Sequence, residues 1–101
     1  MSDASLTESG DAHWELSGVL DFASVPGIWP RLEGLVQAGG DLTLSLSGVE
    51  QANSAGLVLL VEARDLARRV GCRLQLTDVP GDLMDLARMS RCERLVGENA
   101  A

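Results

Sequence analysis

Few residues in this chain could do chemistry. There is one histidine, His13, two widely separated cysteines, Cys72 and Cys92, and no GxxxxGK[ST] phosphate loop. A lone imidazole with no Cys–His arrangement leaves a nucleophile without a base, and the cysteines match no metal-ligand spacing. Glu62 and Asp65 stand near Arg68 and Arg69 on what reads as a helical polar face, which suits solvated ion pairs better than acid–base catalysis. What remains is Ser54, within Asn53-Ser54-Ala55-Gly56-Leu57. Its hydroxyl stands at the head of a helix, where Asn53 or Ser54 could cap an orphan backbone N–H. The same place favours a phosphate through N–H groups and the helix dipole. Both readings use one geometry. The chain is expected to have no catalytic residues, no cofactor and no metal.

The helix that positions Ser54 runs to Gly71, about four turns. Leu59, Leu60, Ala63, Leu66, Ala67 and Val70 fall on one side of its wheel, with Glu62, Asp65 and Arg69 opposite and Arg64 and Arg68 at the flank. Leu57, Val58 and Val61 break the pattern by falling on the polar side of the first turns. Either another part of the chain covers them, or they form an exposed apolar patch of the kind that marks partner sites.

The remaining elements follow from alternation and turn signals. Leu6–Ser9 and His13–Leu20 read as a hairpin turning at Gly10-Asp11, with Trp14, Leu16 and Val19 inward. A first helix lies within Asp21–Gly40, capped by Ser24; it either starts near Pro30 or is kinked there, with Trp29, Leu32, Leu35 and Val36 toward the sheet. Asp41–Gly48 alternates Leu42, Leu44 and Leu46 against Thr43, Ser45 and Ser47, and Cys72–Val79 alternates again. Strands apolar on one side only predict helices mainly on one face, and the strand–helix–strand order predicts parallel pairing. Leu83–Ser90 reads as a short helix with Met84 and Met89 as core filler, and Leu95 and Val96 as anchors of the tail.

The 101 residues predict one domain, with a core over about 14–97. Net charge is −7, with eight acids against one Arg in residues 1–53 and an even balance beyond. Lysine is absent, and one Phe, two Trp and no Tyr give no stacking platform, so nucleic acid is not an expected partner. No run of eighteen apolar residues exists, which excludes direct membrane insertion as a helix. The opening MSDASLTESGD has neither the basic start nor the apolar stretch of a secretory signal, and a cytoplasmic location is expected.

The order of strand, Asn53-Ser54-Ala55-Gly56-Leu57, long helix, strand and short helix resembles the STAS domain, the sulfate-transporter and anti-sigma-antagonist fold, over roughly residues 14–97. The resemblance implies an α/β fold: a small mixed, mostly parallel sheet with an antiparallel N-terminal start and helices mainly on one face. Anti-sigma-factor antagonists resemble an Asp-Ser-Ser-Gly-Leu pattern with the second Ser phosphorylated; here Ala55 takes that position and Asn53 replaces the acid. A hydroxyl followed by Ala-Gly-Leu looks more like the MlaB-type small subunits of phospholipid-trafficking ABC transporters, where the position of Ser54 is usually Thr. That likeness implies an accessory subunit that binds the cytoplasmic ATPase, and through it the permease, at the inner membrane, without touching lipid. The expected interface is Asn53, Ser54, Ala55, Leu57, Val58 and Val61, with Arg64 and Arg68 as its charged edge. An anti-sigma antagonist is the alternative, and a weak homodimer is a further use of the same patch.

Overall fold

The structure is a computed structural model and describes residues 4–97. Strand β1 (Ser5–Gly10) pairs antiparallel with β2 (His13–Leu20); β2 pairs parallel with β3 (Asp41–Ala52), and β3 parallel with β4 (Arg73–Thr77). The sheet order is β1-β2-β3-β4. Helix α1 (Val25–Gln37) crosses from β2 to β3, and α2 (Ser54–Val70) from β3 to β4. Helix α3 (Gly81–Met89) and a single turn, α4 (Glu93–Val96), complete the chain. This is the mixed sheet with an antiparallel start that the hairpin, the strand–helix–strand order and the family resemblance imply.

The core is a leucine layer between sheet and helices. Leu16, Leu20, Leu44, Leu46 and Leu76 of the strands meet Leu32, Leu59, Leu60 and Leu83 of the helices, all fully buried. The reverse side of the strands carries Thr43, Ser45, Ser47, Gln75 and Thr77, none of them buried. Helix α2 ends where expected, with Gly71 at φ 78°, a left-handed conformation that costs a glycine nothing.

Four local expectations change. The hairpin turns through Asp11 and Ala12, one residue later than expected, with Ala12 at φ 58°. Val19 is only half-buried, because plain alternation along β2 from Leu16 puts Gly18 and Leu20 on the core face and Val19 on the other. Register shifts between Glu15 and Ser17 and between Gly18 and Val19 let Gly48–Ala52 pair with Ser17–Leu20, so β3 runs four residues past Gly48. Met89, expected in the core, is 78% exposed because it ends α3 beyond the buried positions Leu83 and Ala87. Helix α1 starts at Val25, with Pro26 in its first turn and Pro30 inside it. Ile28, Leu32 and Val36 form its buried stripe, while Trp29 and Leu35 are half-buried.

Candidate functional site

The parallel strands β2 and β3 end side by side, with Leu20 opposite Ala52. The carboxyl ends of adjacent parallel strands are where open α/β sheets place their sites. The chain leaves β3 through Asn53, whose N–H donates to the Leu20 carbonyl at 3.1 Å. Asn53 has extended backbone and caps α2: its Oδ1 accepts from Ala55 N at 2.9 Å, and its carbonyl accepts from Gly56 N at 3.0 Å. Cap and hydroxyl are therefore separate residues. Ser54 is the first residue of the helix and is exposed, with no part in the capping bond.

Gly56 explains how closely α2 seats. A Cβ at this buried position would stand 3.0 Å from Leu20 Cβ and 3.2 Å from Ala52 Cβ. Only hydrogen fits there without displacement, so the helix head rests directly on the two strand ends.

The neighbouring loop is rigid for a different reason. Asp21 Oδ1 accepts from Ala23 N at 3.0 Å and Ser24 N at 2.9 Å, a turn closed by its own side chain. The Ser24 hydroxyl donates to the Val19 carbonyl at 2.6 Å and makes no cap bond, contrary to the expectation for that residue. Phe22, held in this turn, is 71% exposed.

The residues expected at a partner surface divide. Asn53, Ser54, Val58 and Arg68 are exposed, and Val61 is half-buried. Ala55 and Leu57 are buried, at 5% and 6% exposure, and Arg64 is buried at 5%. Ala55, Leu57 and Arg64 are thus corrections to the expected surface. The cause is that α2 packs on three sides, against the sheet, α1, and α3 with α4. Its buried arc therefore extends past the stripe facing the sheet, to Leu57 and Arg64.

Arg64 acts inside the fold. Its Nε donates to the Leu95 carbonyl at 3.1 Å and its Nη1 to the Leu74 carbonyl, tying α4 and β4 to α2. Its Nη2 is buried with no hydrogen-bond partner. Burial, and then the nearby Arg68, hold the guanidinium below its usual pKa, with Cys72 acting the other way.

Beside Val58, an apolar groove of about 400 Å³ opens between the two long helices. Val25, Pro26 and Trp29 of α1 line one wall, and Val58, Leu59 and Glu62 of α2 the other. The α1 wall was not legible as part of a site, because Trp29 keeps the spacing of a sheet-facing residue. Its sequence signal is Val25-Pro26, apolar residues placed before the buried stripe begins at Ile28. Among the described residues no group of three His, Cys, Asp or Glu could hold a metal ion, and no helix is long and apolar enough to cross a membrane.

A sheet opened by an antiparallel hairpin, a long helix seated on two strand ends, and an exposed hydroxyl at its head define a recognisable class of small α/β domain. The anti-sigma factor antagonist SpoIIAA, in its unphosphorylated form, shares this fold, with a TM-score of 0.67 at 15% identity over 89% of this chain and 82% of that one. No curated protein matches the sequence. The family model described as "Mlab, STAS domain" matches residues 5–97, and the chain belongs to that family.

Proposed function

We propose that this STAS domain is a non-enzymatic accessory subunit that binds the cytoplasmic ATPase of a phospholipid-trafficking ABC transporter and supports its assembly and activity. Its place would be the cytoplasmic side of the inner membrane, reached through that partner. The observation that carries this reading is the Ser54–Ala55 pair. Ser54 presents an exposed hydroxyl, while the next position, where the antagonists are phosphorylated, holds a buried methyl group. That position offers a kinase nothing to modify. The Mlab family match supports the same assignment.

The contact surface in this proposal is Asn53, Ser54 and Val58, with Val61 and Arg68 at its edge. Exposed apolar residues beside polar ones give an interface centre and rim. Binding acts by linkage: a subunit that prefers the assembled ATPase stabilises it without supplying a catalytic group.

The test is affinity capture of tagged protein from native membranes, followed by ATPase assays of the purified transporter with and without it. Recovery of an ABC ATPase with its permease, with activity dependent on this subunit, is expected. Recovery of an anti-sigma kinase instead would overturn the proposal. Val58→Asp should lose the partner and keep the fold, whereas Leu57→Asp should unfold the domain, because it places a charge in the core.

A further inference from the structure

We propose that the α1–α2 groove receives an amphipathic helix of the partner, carrying a large apolar side chain and, three or four residues away, a Lys or Arg that pairs with Glu62. This rests on the transporter reading above for the partner's identity, but its argument comes from the groove alone.

Five of the six lining residues are apolar, and Glu62 is the one charge. Grooves of this kind bind helices through apolar anchors at helical spacing. Val58 is 56% exposed between Leu57 and Leu59, which are both buried, so the outward apolar position is a property of the groove rim and not of fraying. On the loop that enters α1, Phe22 adds a second exposed apolar side chain.

Charge selects the occupant. Among the described residues Glu62 makes no ion pair, and its helical neighbours Val58, Leu59, Asp65 and Leu66 include no base. Asp65, by contrast, is paired with Arg69 at 3.3 Å. Glu62 therefore leaves a carboxylate at the groove with no cation paired to it among the described residues. A second copy is a poor occupant, because each copy carries a net charge of −7 and would bring its own acids to the contact. A cationic helix satisfies both the apolar walls and the carboxylate.

The experiment places a photo-crosslinking phenylalanine analogue at position 58 of the full chain, in the complex captured from native membranes. Glu62→Gln and Glu62→Arg are measured in parallel for affinity at low and high salt. Glu62 is exposed, so both variants should melt like the parent. The expected crosslink falls on a helix with Lys or Arg three or four residues away. Glu62→Arg should weaken binding about tenfold at low salt, and the effect should shrink as salt screens it. Reversing the partner's base to Glu should restore Glu62→Arg. A crosslink confined to a second copy of this chain, to a helix lacking a base, or to nothing overturns the groove proposal, as does Glu62→Arg binding within about twofold of the parent. The two readings fail separately. An ABC ATPase captured equally well by the parent and Glu62→Arg keeps the transporter and removes the groove. A basic helix of some other protein crosslinked at position 58, with the same loss and rescue, keeps the groove and removes the transporter.

Discussion

Replacing Arg64 with Met tests whether this residue holds the fold together or faces a partner. Its Nε and Nη1 donate to the Leu95 and Leu74 carbonyls. Hydrogen bonds to a charged donor contribute about 1.5–3 kcal/mol each, so about 3–6 kcal/mol is removed before compensation. Compensation is real, because the fold no longer buries a guanidinium, which costs several kcal/mol even when paired, and here Nη2 has no partner. Met also keeps the aliphatic contacts of the Arg stem. The two orphaned carbonyls decide the sign, and we expect a net loss of about 1–3 kcal/mol. For a domain of this size that corresponds to a fall in Tm of roughly 5–20 °C. Amide exchange should report where the loss begins: 92–97 should open first, since α4 is a single turn held in part through Leu95. Arg64→Lys should fall between, because an ammonium lacks the planar fork that reaches both carbonyls. Refutation would be Arg64→Met with unchanged Tm and exchange but lost partner capture, which would put the guanidinium at the surface.

Asn53→Ala should cost about 0.5–2 kcal/mol in urea titrations, because it removes the capping oxygen, while Ser54→Ala should change stability by less than about 0.5 kcal/mol. A loss of partner assembly in Ser54→Ala at unchanged stability would then assign the hydroxyl to the interface. Gly56→Ala sets overpacking of about 1–3 kcal/mol against a helix-propensity gain of about 1 kcal/mol; contacts of 3.0 and 3.2 Å let overpacking win, and Tm should fall. Alkaline stability can report Cys72, because the chain has no Tyr and no Lys, and the Cys72→Ala variant separates it from the second free thiol, Cys92. Burial, then Asp41, push its thiol above the ordinary 9.0, with Arg64 opposing. The folded state thus holds this proton more tightly than the unfolded chain. Its contribution is complete below the ordinary value and is lost as pH rises through the folded one. Urea midpoints from neutral pH upward should show that fall, and Cys72→Ala should remove it.

The strands and the long helix were legible because period-two and period-3.6 patterns each fix one buried face. Leu42, Leu44 and Leu46 could face only one layer. Such patterns do not say how many neighbours a helix has. Leu57 and Arg64 read as surface because a wheel assumes one contact, the sheet, while α2 has three. Arg64 is the instructive case: a charged flank residue became buried because two carbonyls from distant elements met its fork. Neither carbonyl leaves a trace in side-chain types. Val19 is a different case, because period two from Leu16 already puts Gly18 and Leu20, and not Val19, on the buried face. The head of α2 was readable because it is local: Asn53, Ser54 and Gly56 do their work within four residues of one another.

The two faces of the molecule differ in what burial would cost. On the open side of the sheet, Ser5 Oγ lies 2.7 Å from Ser17 Oγ. Ser47 Oγ donates to Glu15 Oε2 at 2.9 Å, and Ser45 Oγ reaches Asp78 Oδ2 at 3.2 Å. A partner covering this face would have to strip water from hydroxyls and two carboxylates while offering each a new bond. Burial of Val58, Phe22 and the groove walls has the opposite sign, since exposed apolar surface is removed from water at about 25 cal/mol per Å². The one charged group lining that groove, Glu62, would need only a single cation from a partner. On this balance the helix layer is the face that costs least to bury, and the head of α2 places the exposed Ser54 hydroxyl one turn from Val58, within reach of the partner helix proposed for the groove.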